Sequence, residues 1–548
     1  MSGPSYGVQE PKPLFPAIWL LRGVLLCALG LVVGCLVYRY VRRWVKVWKA
    51  LRPLPGPTDK HPLWFMFATY MSRRKRFTQQ DATFEFSESV RGLCEMFKNR
   101  TFKAYIGAVP IVVIQTAEHA EVLLSSAVNL NKPFFYTFTI PWLGPRNLLY
   151  VAGDIWRAKR KVQTPGFHFK ILEKFMDIFN EHADAMSETL QDMSVKNEQV
   201  RINDVTKRCS LDVIGEALLG INLNTQKNEN GTYGEYIGGI TFLMTIRAFR
   251  PWMWLTSVYN LSLEGQWFKK MIHGVDSFSL KVMKERKETF HLFKNQSNPD
   301  GPEDEDDAKP ERRVAIVDIL LDKHLKDQSY SLHEIRKDLD LLLFAGHDTI
   351  SNAMAWTLYL LGLHPQKQRK VQRELDEIFK DNPNREVTMD DLRRMKYLEA
   401  CLKEAMRLFP PIPYIGRVLV EDIELDGVVI PKGVTCWISI FTLHRNEKYF
   451  HKPEEYIPER FLTEEFTSRH PFCYIPFSAG SKNCIGQRFA MREGKVILAK
   501  VLRSHTFKAT RPLDKLKISC EVVTKAKGGL RVHVKKRLPG DYECPNVC

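Results

Sequence analysis

One stretch near the C-terminus, Pro476-Phe477-Ser478-Ala479-Gly480-Ser481-Lys482-Asn483-Cys484-Ile485-Gly486-Gln487-Arg488-Phe489-Ala490, limits what this chain can fold into more than any other. A single cysteine stands between two glycines six residues apart, and a helix-forming run, Gln487 to Leu502, follows at once. Backbone N–H groups and the positive end of the helix dipole favour the thiolate at such a position, and a thiolate is a nucleophile or a metal ligand. The glycines allow tight bends and the close approach of a flat ligand. A nucleophile would need a histidine base, and zinc would need further Cys or His at short spacing; neither is evident nearby. One thiolate on a glycine-flanked loop fits an axial ligand to haem iron instead, with a buried structural thiol as the plain alternative.

The chain has 548 residues, more than the roughly 250–300 at which a single core usually splits, so one large domain or two fused lobes is expected. Its net charge of +17 comes without a finger or basic-zipper pattern, which points away from nucleic acid and toward acidic proteins or anionic membrane surfaces. Eleven irregularly spaced cysteines make no disulfide framework and suit a reducing compartment. Gly23 to Tyr38 is an unbroken apolar run of 16 residues. Ala17 to Tyr38 reaches the ~20 residues of a membrane span if Arg22 extends to the headgroups. Arg39, Arg42, Arg43, Lys46, Lys49 and Arg52 follow the run, against Lys12 before it, so the positive-inside rule puts the N-terminus in the lumen and the bulk in the cytosol. A cleavable signal would carry its charge on the other side of the run. Residues 1–52 thus read as an anchor with a basic stop-transfer segment. Pro53-Leu54-Pro55-Gly56-Pro57 reads as a stiff spacer before a domain over 53–548.

Beyond the spacer the pattern is mainly α with minor β. Phe102 to Gln115 alternates as a hairpin, and Ala117 to Ser126 is helical. Phe134, Phe135, Tyr136, Phe138 and Trp142 form an aromatic loop that fits either core or a ligand wall. Trp156 and Arg160 share a helix face. Phe249 to Leu261, with Trp252 and Trp254, fits either interior core or an edge that dips into a membrane. About residues 296–313 the composition predicts a solvated, mobile acidic loop. A helix of roughly thirty residues starts at Ser331, whose capping box is completed by Glu334, and ends near His364-Pro365. Gly346 costs that helix ~1 kcal/mol relative to Ala, so it asks for a reason; close approach of a ligand is one. Thr349 fits a hydroxyl bonded back to the preceding turn as well as a functional one. Glu404 and Arg407, three apart, would by themselves be a common ion pair.

Together these features resemble the cytochrome P450 superfamily over about residues 53 to 535. The cysteine loop is similar to its Phe-x-x-Gly-x-Arg-x-Cys-x-Gly signature through Phe477, Gly480, Cys484 and Gly486, with Lys482 where Arg is usual. The resemblance implies the P450 fold, one large haem-binding domain behind an N-terminal transmembrane helix, with Cys484 as the metal ligand. It puts Gly346, Asp348 and Thr349 in an oxygen-binding groove, the last two as a proton relay. It implies Trp156, Arg160 and Arg417 toward the haem propionates, Lys482, Gly346 and Phe477 as further cofactor-binding residues, and Glu404, Arg407 and Arg460 as structural supports of the loop. Thr164-Pro165-Gly166-Phe167-His168-Phe169 looks like the fourth family, which hydroxylates fatty acids at or near the chain end. Many of its members carry, at the position of Ala345, a Glu that bonds a haem methyl; Ala345 has no oxygen to do so, and non-covalent haem b is expected. Ile350, where a second threonine is usual, is expected to narrow the same region.

No Gly-x-Gly-x-x-Gly or P-loop occurs, so electrons must come from outside. The resemblance implies NADPH through a diflavin reductase, with cytochrome b5 as a second candidate donor, on a single-pass protein of the endoplasmic reticulum facing the cytosol. The expected activity is insertion of one oxygen atom from O2 into a C–H bond of a fatty acid or similar lipophilic molecule. A sesquiterpenoid or xenobiotic is the alternative substrate; a haem-thiolate isomerase and a non-enzymatic haem or lipid-binding protein are the alternatives in kind.

Overall fold

A computed structural model of the chain describes residues 15–57, 79–106, 109–227, 232–248, 250–296, 315–327 and 330–537; the acidic loop expected at about 296–313 lies almost wholly outside them. Helices dominate and the strands are few. The helices that matter to the site are α1 (Phe15–Ala50), α2 (Gly153–Gln163), α3 (Met176–Val195), α4 (Ile202–Leu219), α5 (Thr232–Ala248), α6 (Leu263–Gln296), α7 (Leu332–Leu363), α8 (Lys396–Leu408) and α9 (Gln487–Ser504).

The centre is α7. Ser331 caps it: its Oγ accepts the Glu334 N–H at 3.2 Å while the Glu334 carboxylate accepts the Ser331 N–H at 3.3 Å, satisfying two otherwise orphaned donors. Pro365 prevents its continuation, and His364 ends it. Most of its circumference is buried, as expected of a helix apolar on nearly every side. It lies against α4, α8 and α9. A Cβ on Gly346 would stand 2.7 Å from Ile214 of α4, so close helix packing by itself accounts for that glycine. Ile350 does not narrow the region beside Ala345. It is 2% exposed and packs toward Gly494 of α9, because one residue beyond Thr349 turns the side chain about 100° around the axis.

The expected hairpin is β1 (Phe102–Ile106) and β2 (Val109–Ile114), antiparallel with Phe102 opposite Val113. The hairpin joins β3 (Tyr414–Val418) and β4 (Thr435–Ser439) in a sheet ordered β1-β2-β4-β3, β2 and β4 running parallel. One apolar core fills the helical body; a second lies under this sheet and takes in Val47, Leu51 and Leu54 from the end of α1 and the proline segment. Those three side chains, each 7% exposed or less, stabilise the docking by about 1.5–3 kcal/mol apiece. The proline segment is therefore not a free spacer. Pro55 O accepts the Lys103 N–H at 2.8 Å, and a Cβ on Gly56 would meet Lys103 at 2.5 Å. Upstream, α1 continues through the basic residues as one helix, and Val24–Ala50 is long and apolar enough to cross a membrane.

The two open aromatic segments divide by face. Trp142 and Phe138 belong to the core, whereas Phe134, Phe135 and Tyr136 are half-buried. After α5, Tyr259 is buried while Trp252, Leu255, Val258 and Leu261 are exposed, joined by Leu263 and Trp267 of α6. An all-interior reading of this segment fails.

Candidate haem site

The cysteine loop is closed by its own backbone. The Cys484 N–H donates to Phe477 O at 2.9 Å, and Ser478 and Gly480 take positive φ of 59° and 71° to make the reversal. Only glycine fits at 480, since a Cβ there would overlap the carbonyl of Leu124. Gly486, which starts α9, is glycine for another reason. A Cβ at 486 would meet nothing closer than 3.9 Å in the protein, but would stand 4.0 Å from the Cys484 sulfur. The glycine keeps the space beside Sγ open.

Cys484 is accessible to solvent yet enclosed enough that desolvation raises its thiol pKa, against the lowering effects of the Gly486 N–H and Arg160. It lines a hollow inside the molecule. The loop alone therefore does not favour the thiolate as the helix-dipole argument expected; burial outweighs it. A metal cation at the sulfur would reverse that balance. Arg160 reaches the loop directly: Nη1 donates to Asn483 O at 2.8 Å and Nη2 to Asn483 Oδ1 at 3.0 Å. Both terminal nitrogens are thus committed to the residue before Cys484.

On α7, Ala345 is exposed and Gly346 and Thr349 are half-buried, in a turn whose other side chains are buried. The Thr349 hydroxyl donates to Ala345 O at 2.8 Å. Asp348, turned about 100° from Thr349 around the axis, is 3% exposed and paired with Lys207 Nζ of α4 at 2.9 Å. Burial pushes its carboxyl up, but Lys207, with Lys525 and His347, holds it well below the usual carboxylate range. Thr349 and Asp348 are therefore neighbours in sequence that face different surroundings.

Three cations gather at the loop, Arg417 buried and Lys132 and Lys482 half-buried. Lys132, Arg417 and Lys482 each lie near another of the three, and none has a carboxylate partner among the described residues. Burial and Arg417 push Lys482 down to about 7. Its ammonium donates to Val151 O at 2.5 Å and stands 5.7 Å from the Trp156 ring centroid. Trp156 is 7% exposed, and its indole N–H makes no hydrogen bond among the described residues. Buried like charges without counter-ions are costly. A flat group bringing two carboxylates to this corner, with an iron to be ligated by Sγ in the space Gly486 leaves, meets both requirements; haem is such a group. The residues present fit it.

The loop is propped from below. Glu404, wholly buried, accepts Arg407 Nε at 2.7 Å and Nη2 at 2.8 Å, Arg460 Nε at 3.1 Å and the Ile457 N–H at 2.8 Å. Arg407 Nη1 donates to His444 O at 2.9 Å, and His444 Nε2 accepts the Ile475 N–H at 2.8 Å, one residue before the loop. Burial, with Arg407 and Arg445 beside it, lowers His444 to about 3, so it is a neutral acceptor. The three residues picked from sequence form one network, and His444 extends it. Sequence reasoning missed Lys132, Lys207, Asn483 and His444. Asn483 alone carried a signal, its place next to the cysteine.

Comparison with known proteins gives a consistent answer. A family model described as Cytochrome P450 matches residues 64–531. Cytochrome P450 4V2 of Rattus norvegicus is 36% identical over 499 residues, 91% of this chain and 92% of the relative. Cytochrome P450 4V2 of Homo sapiens is 34% identical over 516 residues, 93% and 95% respectively. Cytochrome P450 4c3 of Drosophila melanogaster is 36% identical over 438 residues, 79% and 82%.

Proposed function

The chain belongs to the cytochrome P450 family, haem-thiolate monooxygenases supplied with electrons from NAD(P)H through a reductase, and on that footing we propose that it oxidises a fatty acid or a similar long lipophilic molecule at or near the chain end. The observation that carries the substrate class is the hexapeptide Thr164 to Phe169, which resembles the fatty-acid branch and whose Phe167 ring lies 3.9 Å from the Cβ position of Gly486, beside the sulfur. Relatives named as fourth-family members support the same branch.

Haem supplies the activation of O2 and the transfer of one oxygen atom to a C–H bond, the other leaving as water. The chain does the rest. Cys484 ligates the iron, and Arg160 fixes Asn483 and so the geometry of the loop. Arg417, Lys482 and Lys132 neutralise the two propionates, with the Trp156 N–H as a further donor. Phe134, Phe135 and Ala345 present apolar surface that holds the substrate and excludes water. The Thr349 hydroxyl passes protons inward. Asp348, held ionised by Lys207, is a weak proton acceptor while that pair is closed and becomes a better one when it opens.

We place the domain on the cytosolic face of the endoplasmic reticulum, anchored by α1, whose six trailing basic residues support that orientation. The exposed Trp252, Leu255, Val258 and Leu261 support a second, shallow membrane contact. An NADPH-dependent diflavin reductase is the proposed electron donor, with cytochrome b5 as an accessory. Titration of the ferric protein with fatty acids, terpenoids and drugs, followed by product analysis with reductase and NADPH, tests the reading. Saturable fatty-acid binding with hydroxylation near the chain end supports it; binding confined to terpenoids or drugs contradicts it.

A further inference from the structure

Arg247, in the last turn of α5, is a buried cation that no acidic group among the described residues pairs with. It is 3% exposed, and its guanidinium lies between two rings, 4.3 Å from the Phe138 centroid in the aromatic loop and 4.2 Å from that of Tyr259. Nε donates to Met253 O at 3.1 Å, and Nη2 to Thr256 Oγ1 at 3.1 Å and to Trp254 O at 3.4 Å. Every acceptor is neutral. No carboxylate pairs with Arg247 among the described residues, and Glu264, in the same part of the fold, is engaged by Arg250 at 2.9 Å. An arginine stays charged in a protein, so this corner holds a positive charge that burial penalises. Nη1 donates to no group among the described residues, whereas Nε and Nη2 are engaged.

The position suits a ligand. Trp254, whose carbonyl Arg247 holds, packs 4.6 Å from the Phe134 ring and 5.9 Å from Phe135, half-buried rings of the aromatic loop. The exposed apolar belt at Trp252, Leu255, Val258 and Leu261 begins next to it, so a molecule entering from the membrane passes this corner. The site is distinct from the cations at the loop. Phe138 is six residues beyond Lys132, mostly along a 3-10 turn, a separation of about 12 Å at ~2 Å per residue.

We propose that Arg247 is the anion-recognition residue of the substrate site: a carboxylate at one end of a long apolar substrate seats on Nη1, which directs the other end toward Cys484. The proposal rests on the fatty-acid reading above and sharpens it to free carboxylates over their esters and alcohols.

The test uses full-length holoenzyme in lipid nanodiscs with three probes, hexadecanoic acid, its methyl ester and hexadecanol, and reads the change in the ferric haem spectrum on titration. Wild-type protein should bind the acid about 10- to 100-fold more tightly than the ester or alcohol, the worth of one charge-assisted hydrogen bond. Arg247→Met should lose that preference while its ester and alcohol affinities stay within about twofold, and Arg247→Lys should retain part of it. The reduced carbon-monoxide spectrum verifies that each variant is intact. Equal binding of all three probes by wild-type protein overturns the inference and leaves the fatty-chain reading standing. Equal weakening of all three by Arg247→Met also overturns it, since that is loss of packing. If wild-type protein binds none of the three, the fatty-acid reading itself falls and takes the inference with it.

Discussion

Acid should loosen the cysteine loop through His444. Its ring is wholly buried, Nε2 accepts the Ile475 N–H at 2.8 Å, and burial with Arg407 and Arg445 lowers its pKa from 6.5 to about 3. In the unfolded chain the imidazole titrates near 6.5. The folded value is the lower one, so the unfolded state takes up the proton first as pH falls. His444 therefore contributes its full stability above about pH 6.5, loses ~1.4 kcal/mol per pH unit below that, and levels off near pH 3. The loss is about 2 kcal/mol by pH 5 and about 4–5 kcal/mol below pH 3. His444→Gln keeps an oxygen to accept from Ile475 but cannot titrate. Urea unfolding of both proteins at pH 7.5 and pH 5, followed by far-ultraviolet circular dichroism, isolates the term, because groups such as Glu493 that titrate in the opposite sense cancel in the difference. Wild-type protein should lose about 2 kcal/mol more than the variant between the two pH values. Equal losses would mean that His444 is not held neutral in the folded protein.

Thr349→Ala removes the hydroxyl without touching the cation cluster. Haem content should be unchanged while a several-fold larger share of consumed NADPH is recovered as hydrogen peroxide, and an unchanged share would remove Thr349 from proton delivery. Lys482→Met and Lys132→Met should each speed haem transfer to apomyoglobin by about tenfold or more, since each deletes a charge-assisted contact of ~1.5–3 kcal/mol; wild-type rates would separate these lysines from the propionates. Chromatography in denaturing acid should release all the haem, because Ala345 offers no carboxylate, whereas Ala345→Glu is expected to retain some. A haem-sized mass increment on the wild-type chain contradicts this.

What could be read from sequence was what neighbouring residues decide together. The Ser331–Glu334 cap, the hairpin expected over Phe102 to Gln115 and the glycines about Cys484 are local geometry, and each is where its pattern put it. The face a helical residue turns to its surroundings was not legible. Ile350 meets α9 rather than the hollow, and Asp348 meets Lys207, because the contacts of α7 with α4 and α9 are set by the whole bundle. Long-range pairings were hidden for the same reason. Arg160 and Asn483 are 323 residues apart, and nothing near Lys132 announces that Arg417 and Lys482 will be its neighbours. The proline segment looked like a spacer since proline stiffness is visible in sequence, whereas the Lys103 backbone that pins it is not.

The ligation of iron by Cys484 is tested most directly by the reduced carbon-monoxide spectrum of wild-type protein and of Cys484→Ser. Wild-type protein should give the red-shifted band of a thiolate-ligated haem, and the variant should lose it while the Arg160–Asn483 and Glu404–Arg407 contacts, neither of which involves the sulfur, keep the fold. A red-shifted band that persists in Cys484→Ser would contradict the assignment.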